Sequence, residues 1–438
     1  MPRGAMIYHC IGIGVGPSNL SLASLLYPYK GVNCVFVDRK PEFAWHDGMY
    51  FPGATLQVAL FKDLVTLSDP TNPFSFISYL FSEGKIHHFL NAQFDAVPRR
   101  EFRNYLKWAS DLNENVHFGE EVIEIRFDGH FVVETEKRTI RAENIAVGVG
   151  TEAHVPSFAR KHIGPTQFHV SEYGLRANSL KGKRVAIVGG GQSGAEAFLD
   201  TISCDNDLLP KQVTWISRRE NFFPLDDSPF VNDYFMPCFS EYFFDKDANF
   251  KKAFLERNIL ASDGISEKTI RDIYQRLYTL RFVEDRGDMP VMMPGRTVDQ
   301  VRHDGRQWEL AVTHHAAGSE EKPVYADIVI WATGFRGHSM PFLAPLAPRL
   351  EYEDVEVRID SNFAAVWDGP ADRRIFMLNA ARQQRGLAEP NLSLIAWRSQ
   401  CVIDAMLSGG GGARAAQKRS FVTWQPSHAW SEQQHRAG

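Results

Sequence analysis

The chain has 438 residues, of which 44% are hydrophobic and 23% charged, and its formal net charge is -5; this length is enough for two or three domains, each with its own core. The charges are interspersed, so no basic surface for nucleic acid is expected, and no apolar run reaches the roughly 18 residues that a membrane-spanning helix needs. The five cysteines are scattered without a CxxC pair, which argues against a zinc site, a disulfide framework and a dithiol redox centre and favours a cytosolic protein without a bound metal.

The first predicted elements are a strand, a glycine turn, a helix and a second strand, in YHCIGIG, PSNLSLASLLY and VNCVFVDR. This βαβ order usually produces parallel strands. Gly12, Gly14 and Gly16 lie in the turn, where backbone without Cβ lets amide groups approach a pyrophosphate at the helix N-terminus. Asp38 ends the second strand, where an acid can bind ribose hydroxyls. Pro17 to Asn19 fill the usual third glycine position, yet the combination predicts dinucleotide binding over a turn that serves only close packing.

A second unit of the same kind lies in KRVAIVGGGQSGAEAFLD (183–200) and returns in QVTWISRR. Gly189, Gly191 and Gly194 match the GxGxxG pattern fully. The second strand ends in Ser217, Arg218 and Arg219 instead of an acid, and a hydroxyl with a guanidinium suits the 2′-phosphate of NADP, which an acid would repel. The alternative is a solvated basic strand end. We therefore predict FAD in the first turn and NADPH in the second.

AENIAVGVGT (142–151) is predicted to be a later strand of the first sheet. A long, mostly helical insertion follows the second unit, and the chain then comes back in the apolar strand ADIVIWATGF. The predicted fold class is α/β, with two Rossmann-like dinucleotide-binding domains, for FAD and NADPH, and a smaller, mostly helical substrate region. The predicted boundaries are 1–160 and 326–408 for the FAD-binding domain, 161–230 and about 286–325 for the NADPH-binding domain, 231–285 for the substrate insertion, and 409–438 for a flexible tail.

Two dinucleotide sites predict hydride transfer from a nicotinamide to a flavin. IWATGF (330–335) is similar to the segment that closes over FAD in flavoproteins with two dinucleotide domains. A reductase of the thioredoxin or glutathione type would need a cysteine pair beside the flavin, which this sequence does not offer. Oxygen chemistry remains, in which a reduced flavin adds O₂ and holds a hydroperoxide. The protein then excludes water, keeps NADP⁺ in place and presents a nucleophile, and no acid–base triad is required.

Longer stretches give a more specific signal: WHDGMYFPGATLQVALFKDLVTLSDPTNPFSFISYL (45–80), GPSNLSLA, VGGGQSGAE, SRRENFFPLDDSPFVNDYF, WATGF and GLAEPNLSLIAWRS (386–399). From about residue 8 to 405 the chain strongly resembles the microbial N-hydroxylating monooxygenases of siderophore biosynthesis, the lysine and ornithine N-hydroxylase family. The resemblance implies an NADPH-dependent flavin monooxygenase that uses O₂ through a C4a-hydroperoxyflavin and forms dimers or tetramers. The FxGxxxH signature of flavin-containing and Baeyer–Villiger monooxygenases is not met around His169.

The resemblance also implies roles for individual residues. The two catalytic candidates are Gln57, which steadies the hydroperoxide, and Asn391, which closes the site near the reactive amine. The implied FAD contacts, including the first turn, are Gly12, Gly14, Gly16, Pro17, Asp38, Trp45, His46, Thr333, Gly334 and Leu394. The implied NADPH contacts are Gly189, Gly191, Gln192, Ser193, Gly194, Ser217 and Arg218. The implied substrate contacts are Lys62 (as the family's carboxylate-binding lysine), Asn232, Asp263, Leu392 and Ser393.

Three of these residues have plain structural alternatives. Lys62 would pair with Asp63 or Asp69 in a loop, Trp45 would belong to the core, and Asn232 would cap a helix. Without the family resemblance the structural alternatives are favoured for all three residues. With the resemblance the functional roles are favoured instead.

The substrate must present a neutral primary amine on a flexible aliphatic stem. Where ornithine-type members carry a Thr-Asn-Tyr stretch, this chain has LASDG (260–264), close to the lysine-type branch. That branch includes hydroxylases of cadaverine and putrescine, whose second ammonium an acid such as Asp263 or Asp233 can recognise. Lys62 is the one feature that favours an amino acid. The sequence favours a diamine over L-lysine, with L-ornithine third, and leaves the choice open; a flavoprotein that binds nucleotides without turnover is the alternative from another class.

Overall fold

The first sheet is built on the strand–turn–helix–strand unit at the start of the chain. The computed structural model describes residues 6–56, 58–176, 180–205, 207–408 and 420–424. The elements of the first stretch are β1 (Ile7–Ile13), α1 (Pro17–Leu26), β2 (Cys34–Asp38), α2 (Phe76–Ser82), α3 (Ile86–Ala92), α4 (Arg99–Leu112), β3 (Val116–Phe118), β4 (Val122–Asp128), β5 (His130–Thr135) and β6 (Thr139–Val147). The strand order is β3-β2-β1-β6-β5-β4, and β1 runs parallel to both β2 and β6, as the sequence predicts.

The second sheet belongs to a second domain. The elements of this domain are β7 (Thr151–Ala153), α5 (Ser157–Arg160), β8 (Gln167–His169), α6 (Tyr173–Arg176), β9 (Arg184–Val188), α7 (Gln192–Ser203), β10 (Gln212–Ile216), β11 (Pro290–Met293), β12 (Arg296–His303), β13 (Trp308–His314), β14 (Ser319–Glu320), β15 (Val324–Ala326) and β16 (Ile328–Trp331). The sheet contains five parallel strands in the order β11-β10-β9-β16-β8. An antiparallel layer of β12, β13, β14 and β15 lies beside it.

The position of β16 corrects the predicted domain boundary at residue 326. We expected the apolar run IVIW to belong to the returning part of the first domain. In the structure it pairs in parallel with β9 on one side and β8 on the other, and all four of its residues are buried. The second domain therefore extends to Trp331, and only the Thr333–Phe335 end of the motif faces the first domain.

The helical insertion and the return segment complete the fold. The insertion contains α8 (Pro229–Asn232), α9 (Pro237–Phe244), α10 (Ala248–Arg257), α11 (Leu260–Asp263) and α12 (Glu267–Phe282). The return segment contains β17 (Phe335–Gly337), β18 (Tyr352–Glu353), β19 (Glu356–Val357), β20 (Ile375–Met377), α13 (Arg382–Arg385) and α14 (Ile395–Ser408). β20 joins the first sheet parallel to β6, and α14 packs on α1 in the first core.

Part of the predicted flexible tail packs on the insertion. The Trp424 ring lies 4.9 Å from the Phe239 ring and 6.1 Å from the Tyr242 ring, centroid to centroid. The Ser420 hydroxyl donates a hydrogen bond to the Asp233 carboxylate. For residues 420–424 the expectation of a flexible tail is therefore wrong, because two aromatic rings of the insertion bind Trp424; residues 409–419 and 425–438 lie outside the described residues.

The five cysteines differ in burial. Cys10, Cys34 and Cys401 are buried, and Cys204 and Cys238 are half-buried. Burial raises the pKa of the Cys34 thiol to about 12 and that of Cys10 well above its usual value, so both strand cysteines are inert packing residues. Among the described residues, no group of three His, Cys, Asp or Glu side chains is placed to hold a metal ion, and none of the helices combines the length and the hydropathy of a membrane-spanning segment.

A buried ion pair holds the return segment against the first helix. Arg398 and Glu389 have side chains only 1% and 3% exposed, and their Nη1 and Oε2 atoms are 2.6 Å apart. Arg398 also donates from Nη2 to the Ser18 hydroxyl of α1 over 3.0 Å and from Nη1 to the Glu389 carbonyl over 2.9 Å. The segment that carries Asn391 is thereby fixed to the helix that follows the first glycine turn.

Replacing Arg398 with methionine should destabilise the protein strongly. The Glu389 carboxylate would be left charged in the interior, so we expect the free energy of unfolding to fall by about 3–5 kcal/mol. Arg126, which pairs with Glu134 on the surface with its side chain 51% exposed, is the control, and Arg126→Met should cost about 1 kcal/mol or less. Urea unfolding followed by tryptophan fluorescence measures both free energies. Equal losses of stability in Arg398→Met and Arg126→Met would contradict the assignment of Arg398 to a stabilising buried ion pair.

Candidate active site

The first glycine turn has the geometry of a pyrophosphate cradle. Gly14 has a φ of +83°, and a Cβ on it would lie 2.8 Å from the carbonyl oxygen of Gly148, while a Cβ on Gly12 would lie 2.1 Å from the Phe36 ring. Gly16 is the N-cap of α1 and Pro17 its first residue, and no side chain caps this helix. The amides of the first helical turn therefore remain available to an anion, as a bound dinucleotide requires.

Asp38 shapes the first turn from the end of β2. Its carboxylate is buried and accepts hydrogen bonds from the Val15 amide over 2.7 Å and from the Lys40 amide over 2.9 Å. Each carboxylate oxygen can accept more than one hydrogen bond. The expected contact of Asp38 with a ribose hydroxyl is thus compatible with its role in the turn.

The second glycine turn is more tightly closed than the first. Gly189 has a φ of +137°, and its Cβ would lie 2.0 Å from the carbonyl oxygen of Ala332. A Cβ on Gly194 would lie 2.2 Å from the Gly189 carbonyl oxygen. Gly191 caps α7 without a side-chain hydrogen bond, and Gln192 and Ser193 form the first helical turn. A second anion site at a helix N-terminus is therefore framed by the three glycines together with Gln192 and Ser193.

The end of β10 differs from the sequence prediction. The Ser217 side chain is buried, and its hydroxyl accepts a hydrogen bond from the Arg219 amide over 3.1 Å. A Cβ on Gly190 would lie 2.1 Å from that hydroxyl. Ser217 therefore packs beneath the turn and is not open to a phosphate, whereas Arg218 is exposed.

Arg219 supports the second turn, a role that the sequence did not indicate. It is half-buried, and its Nη1 donates to the Asp263 carbonyl over 2.9 Å and to the Gly190 carbonyl over 3.4 Å. Burial lowers the pKa of its guanidinium. The signal was the doubled arginine in SRR, of which only the first was assigned a role.

The two domains meet at a cluster of aromatic rings. Trp45 and His46 lie with ring centroids 5.0 Å apart, and His46 lies 5.8 Å from Phe335, just after Thr333 and Gly334. Trp45 also lies 6.0 Å from Phe102 and packs on the first core, so the structural alternative for Trp45 and its predicted role are compatible.

Two histidines in this region are kept neutral. The His169 Nε2 lies 3.0 Å from the carbonyl oxygen of Gly334. This contact holds the backbone just before Phe335 against the end of β8. Burial, followed by the nearby Arg99 charge, lowers the pKa of His46 to about 4, and burial lowers the pKa of His169 to about 4. Both rings are therefore neutral at physiological pH.

Lys62 contacts the helical insertion, not its sequence neighbours. Its Nζ lies 5.8 Å from the centroid of the Phe235 ring, and burial lowers the pKa of this ammonium. The Asp63 carboxylate accepts hydrogen bonds from the amides of Val65, Thr66 and Phe76. The Asp69 carboxylate binds Thr71 and Asn72. The structural alternative for Lys62 is therefore wrong: among the described residues, neither carboxylate neutralises it.

The remaining predicted site residues divide into two places. Asn232 is exposed at the end of α8, three residues before Phe235, and donates to the Asp227 carbonyl over 2.7 Å without capping a helix through its side chain. Asn391 accepts hydrogen bonds from the Ser393 amide over 2.8 Å and its hydroxyl over 2.7 Å, which orders the short turn Leu392–Leu394. Leu394 and Ser393 are buried in that turn.

Asp263 lies at the second glycine turn. Its carbonyl oxygen is 3.6 Å from where a Cβ on Gly191 would lie. Its carboxylate accepts from the Ser262 hydroxyl over 2.9 Å and lies 3.9 Å from the Arg382 guanidinium. The acid therefore has the Arg382 guanidinium near its carboxylate and the Arg219 guanidinium on its carbonyl, and both charges oppose the approach of a substrate ammonium. The predicted role of Gln57 falls on a residue outside the described part of the chain.

Alanine at two glycines of the second turn should separate folding from binding. Gly189→Ala puts a Cβ against Ala332 in a left-handed backbone, so we expect loss of NADPH binding and a loss of stability of about 1–3 kcal/mol or more. In Gly191→Ala the new Cβ makes only an ordinary contact, at 3.6 Å from the Asp263 carbonyl oxygen. This variant should bind NADPH more weakly without a lower melting temperature. Calorimetric titration and thermal melting measure the two effects; a destabilised Gly191→Ala would contradict this account.

The two neutral histidines should make the protein sensitive to acid. Since their pKa values are lowered from 6.5 to about 4 in the folded state, the stability they contribute is present above pH 6.5 and is lost as the pH falls toward 4. His169→Asn should flatten the fall in unfolding free energy across that window, because the His169 ring is only 2% exposed. His88→Asn, at an exposed site on α3, is the control and should leave the pH profile unchanged.

Comparison with known proteins identifies the family. The model of the family described as L-lysine 6-monooxygenase/L-ornithine 5-monooxygenase matches residues 6–337. The L-lysine N6-monooxygenase of Escherichia coli is 36% identical over 402 residues, which cover 91% of this chain and 94% of that protein.

Two solved structures are similar over almost the whole chain. The cadaverine monooxygenase of the desferrioxamine pathway of Erwinia amylovora, solved with FAD, superposes with a TM-score of 0.90 at 24% identity and covers 96% of this chain and 99% of that one. The ornithine N-hydroxylase of Kutzneria sp. 744, solved with reduced FAD, NADP⁺ and L-ornithine, superposes with a TM-score of 0.85 at 26% identity and covers 93% of this chain and all of that one. With both glycine turns in place, the chain belongs to the L-lysine 6-monooxygenase/L-ornithine 5-monooxygenase family and is an NADPH-dependent flavin N-monooxygenase.

Proposed function

We propose that this enzyme N-hydroxylates the terminal primary amine of a small aliphatic substrate for siderophore biosynthesis, with L-lysine as the first candidate. The observation that carries the choice of L-lysine is the half-buried Lys62 ammonium beside Phe235. Burial alone lowers the pKa of Lys62, with no carboxylate of the described residues contributing to the shift. A substrate carboxylate would supply the missing counter-charge.

The cofactor roles follow from the two turns. Bound FAD supplies oxygen activation and NADPH supplies the hydride that reduces it. Gly14 and the first turn of α1 bind the pyrophosphate of FAD, and Gly189 to Ser193 bind that of NADPH. The exposed Arg218 guanidinium binds the 2′-phosphate, and the neighbouring Arg219 holds the turn in shape through its carbonyl contacts.

The aromatic cluster lines the place where the domains meet. Trp45 is half-buried, whereas the rings of His46 and Phe335 are exposed and would be covered by a bound flavin. His46 is neutral and lacks the second ring proton of an imidazolium at physiological pH. Exclusion of water and of stray protons is what a reactive oxygenated flavin site needs. Gln57 and Asn391 are proposed to border the reacting atoms, with the Asn391 side chain held by Ser393.

The second candidate is a diamine, cadaverine or putrescine. The LASDG stretch at 260–264 is close to the lysine-type branch, which includes diamine hydroxylases, so it fits a diamine as well as L-lysine and disfavours only L-ornithine. The contacts of the two acids that would recognise a second ammonium favour L-lysine instead: Asp263 lies among arginines at the second turn, and Asp233 accepts from the Ser420 hydroxyl. Lys62 would also repel that ammonium. Assembly as a dimer or tetramer and a cytosolic location stay predictions.

Product analysis with four amines tests the proposal. NADPH oxidation and hydroxylamine formation should be measured side by side with L-lysine, L-ornithine, cadaverine and putrescine. We expect amine-stimulated oxygen use that is highest with L-lysine. Activity confined to the two diamines would reverse the order of candidates, and amine-independent oxygen use with no hydroxylamine would contradict the function itself.

Lys62→Met should separate an amino acid from a diamine. Loss of a charge-assisted contact with a carboxylate should raise KM for L-lysine about 10- to 150-fold, because such a contact contributes about 1.5–3 kcal/mol. The KM for cadaverine should change little or fall. Lys85→Met is the matched control, since Lys85 pairs with Glu101 on the surface, and it should leave both KM values unchanged.

A further inference from the structure

The loop that precedes Thr55 is held between the two domains. Met49 and Phe51 bury their side chains in the core of the second domain, where the Phe51 ring lies 4.9 Å from the Tyr173 ring. A Cβ on Gly48 would lie 1.9 Å from the carbonyl oxygen of Ser171. This loop follows Trp45 and His46 directly and lies two residues from Gln57 in the sequence. Its placement therefore affects the region proposed to border the flavin.

Arg99, the first residue of α4, joins both ends of this loop to the second domain. Its Nη1 donates to the Met49 carbonyl over 3.0 Å, and its Nη2 donates to the Thr55 carbonyl over 3.4 Å. The same two nitrogens bind the Glu196 carboxylate over 2.9 and 2.8 Å. The side chains are 13% and 6% exposed, so the pair is largely shielded from water. A planar guanidinium suits this two-point geometry, and an ammonium cannot reproduce it.

Glu196 extends these contacts to the second glycine turn. It lies on α7 and accepts a hydrogen bond from the Gln192 side chain over 2.9 Å. Gln192 is the first residue of α7 after the Gly191 cap. Its side-chain oxygen accepts from the Ser266 amide over 2.7 Å, and its nitrogen also donates to the Thr269 hydroxyl over 3.2 Å. A continuous set of polar contacts thus connects the loop, the second turn and the start of α12.

We propose that Arg99 and Glu196 are positioning residues that couple occupation of the second turn by NADPH or NADP⁺ to the placement of residues 49–55. The inference rests on the proposed use of NADPH at that turn. A dinucleotide pyrophosphate at the N-terminus of α7 fixes the first turn of this helix. Gln192 and Glu196 lie one turn apart on α7. Because one carboxylate serves both Gln192 and Arg99, the orientation of α7 sets the orientation of the guanidinium and of the two loop carbonyls.

Amide hydrogen exchange in the full-length FAD-loaded protein, with and without saturating NADP⁺, tests the coupling. In the wild type we expect NADP⁺ to slow exchange of the 49–56 amides by about fivefold or more. Arg99→Met should lose this protection while its Kd for NADP⁺ changes less than about threefold. The matched control is Arg184→Met, which breaks the Arg184–Asp327 pair within the second domain and should keep the protection.

Two further variants test the same coupling if Arg99→Met does not fold. Arg99→Lys keeps the charge but not the two-point geometry and should retain only part of the protection. If Arg99→Met does not fold with FAD, Glu196→Gln, which keeps the side-chain shape and removes the charge, takes its place and should lose the protection too. Protection equal to wild type in a folded Arg99→Met or Glu196→Gln protein would overturn the proposal. Absence of NADP⁺ binding to the wild type would instead contradict the proposed function.

The kinetic readout should follow the exchange result. At saturating NADPH, the Arg99→Met enzyme should consume NADPH and release less hydroxylamine per NADPH than wild type, because the loop is no longer placed by the occupied second turn. Full coupling of NADPH use to hydroxylamine in this variant would also count against the proposal.

Discussion

Both glycine turns depend on a carbonyl group supplied by a strand far along the chain. The space left by the missing Cβ of Gly14 is occupied by the Gly148 carbonyl, which follows β6, and that of Gly189 by the Ala332 carbonyl, which follows β16. Each turn reaches its closed shape only when the remote strand has paired beside the local one. A dinucleotide cradle in this protein is therefore a property of a completed parallel sheet and not of the glycine motif alone.

The sequence was sufficient for the parts of the fold that local patterns encode. Apolar strands followed by glycines and helices predicted both βαβ units, and the structure pairs β1 with β2 and β9 with β10 in parallel. The pattern of β16 did not indicate its sheet, because a run buried on both faces fits beside any parallel strand. Its assignment needs the pairing with β8 and β9, which is long-range information.

The candidate site could be predicted from the sequence to about the same extent as the fold. The positions of the glycines, Trp45 and His46 follow from motifs, whereas the partners of the charged side chains do not. Ser217 loses its expected phosphate contact and Arg218 keeps it because successive residues at a strand end face opposite directions, so that Ser217 is buried and Arg218 exposed. Asp263 and Asp233 receive their partners from Arg382 and Ser420, more than a hundred residues later. The choice of amine depends on such contacts, so it could not be read from the local sequence.

The seating of Trp424 on the insertion has a practical consequence for handling the protein. The indole covers the rings of Phe239 and Tyr242, and Ser420 satisfies an acid one residue from Asn232. A shortened chain that stops at Ser408 would present those rings to solvent and release that acid, which invites association between molecules. Affinity tags and reporter fusions at the C-terminal side are therefore best attached beyond Trp424, with a spacer that leaves the indole in place.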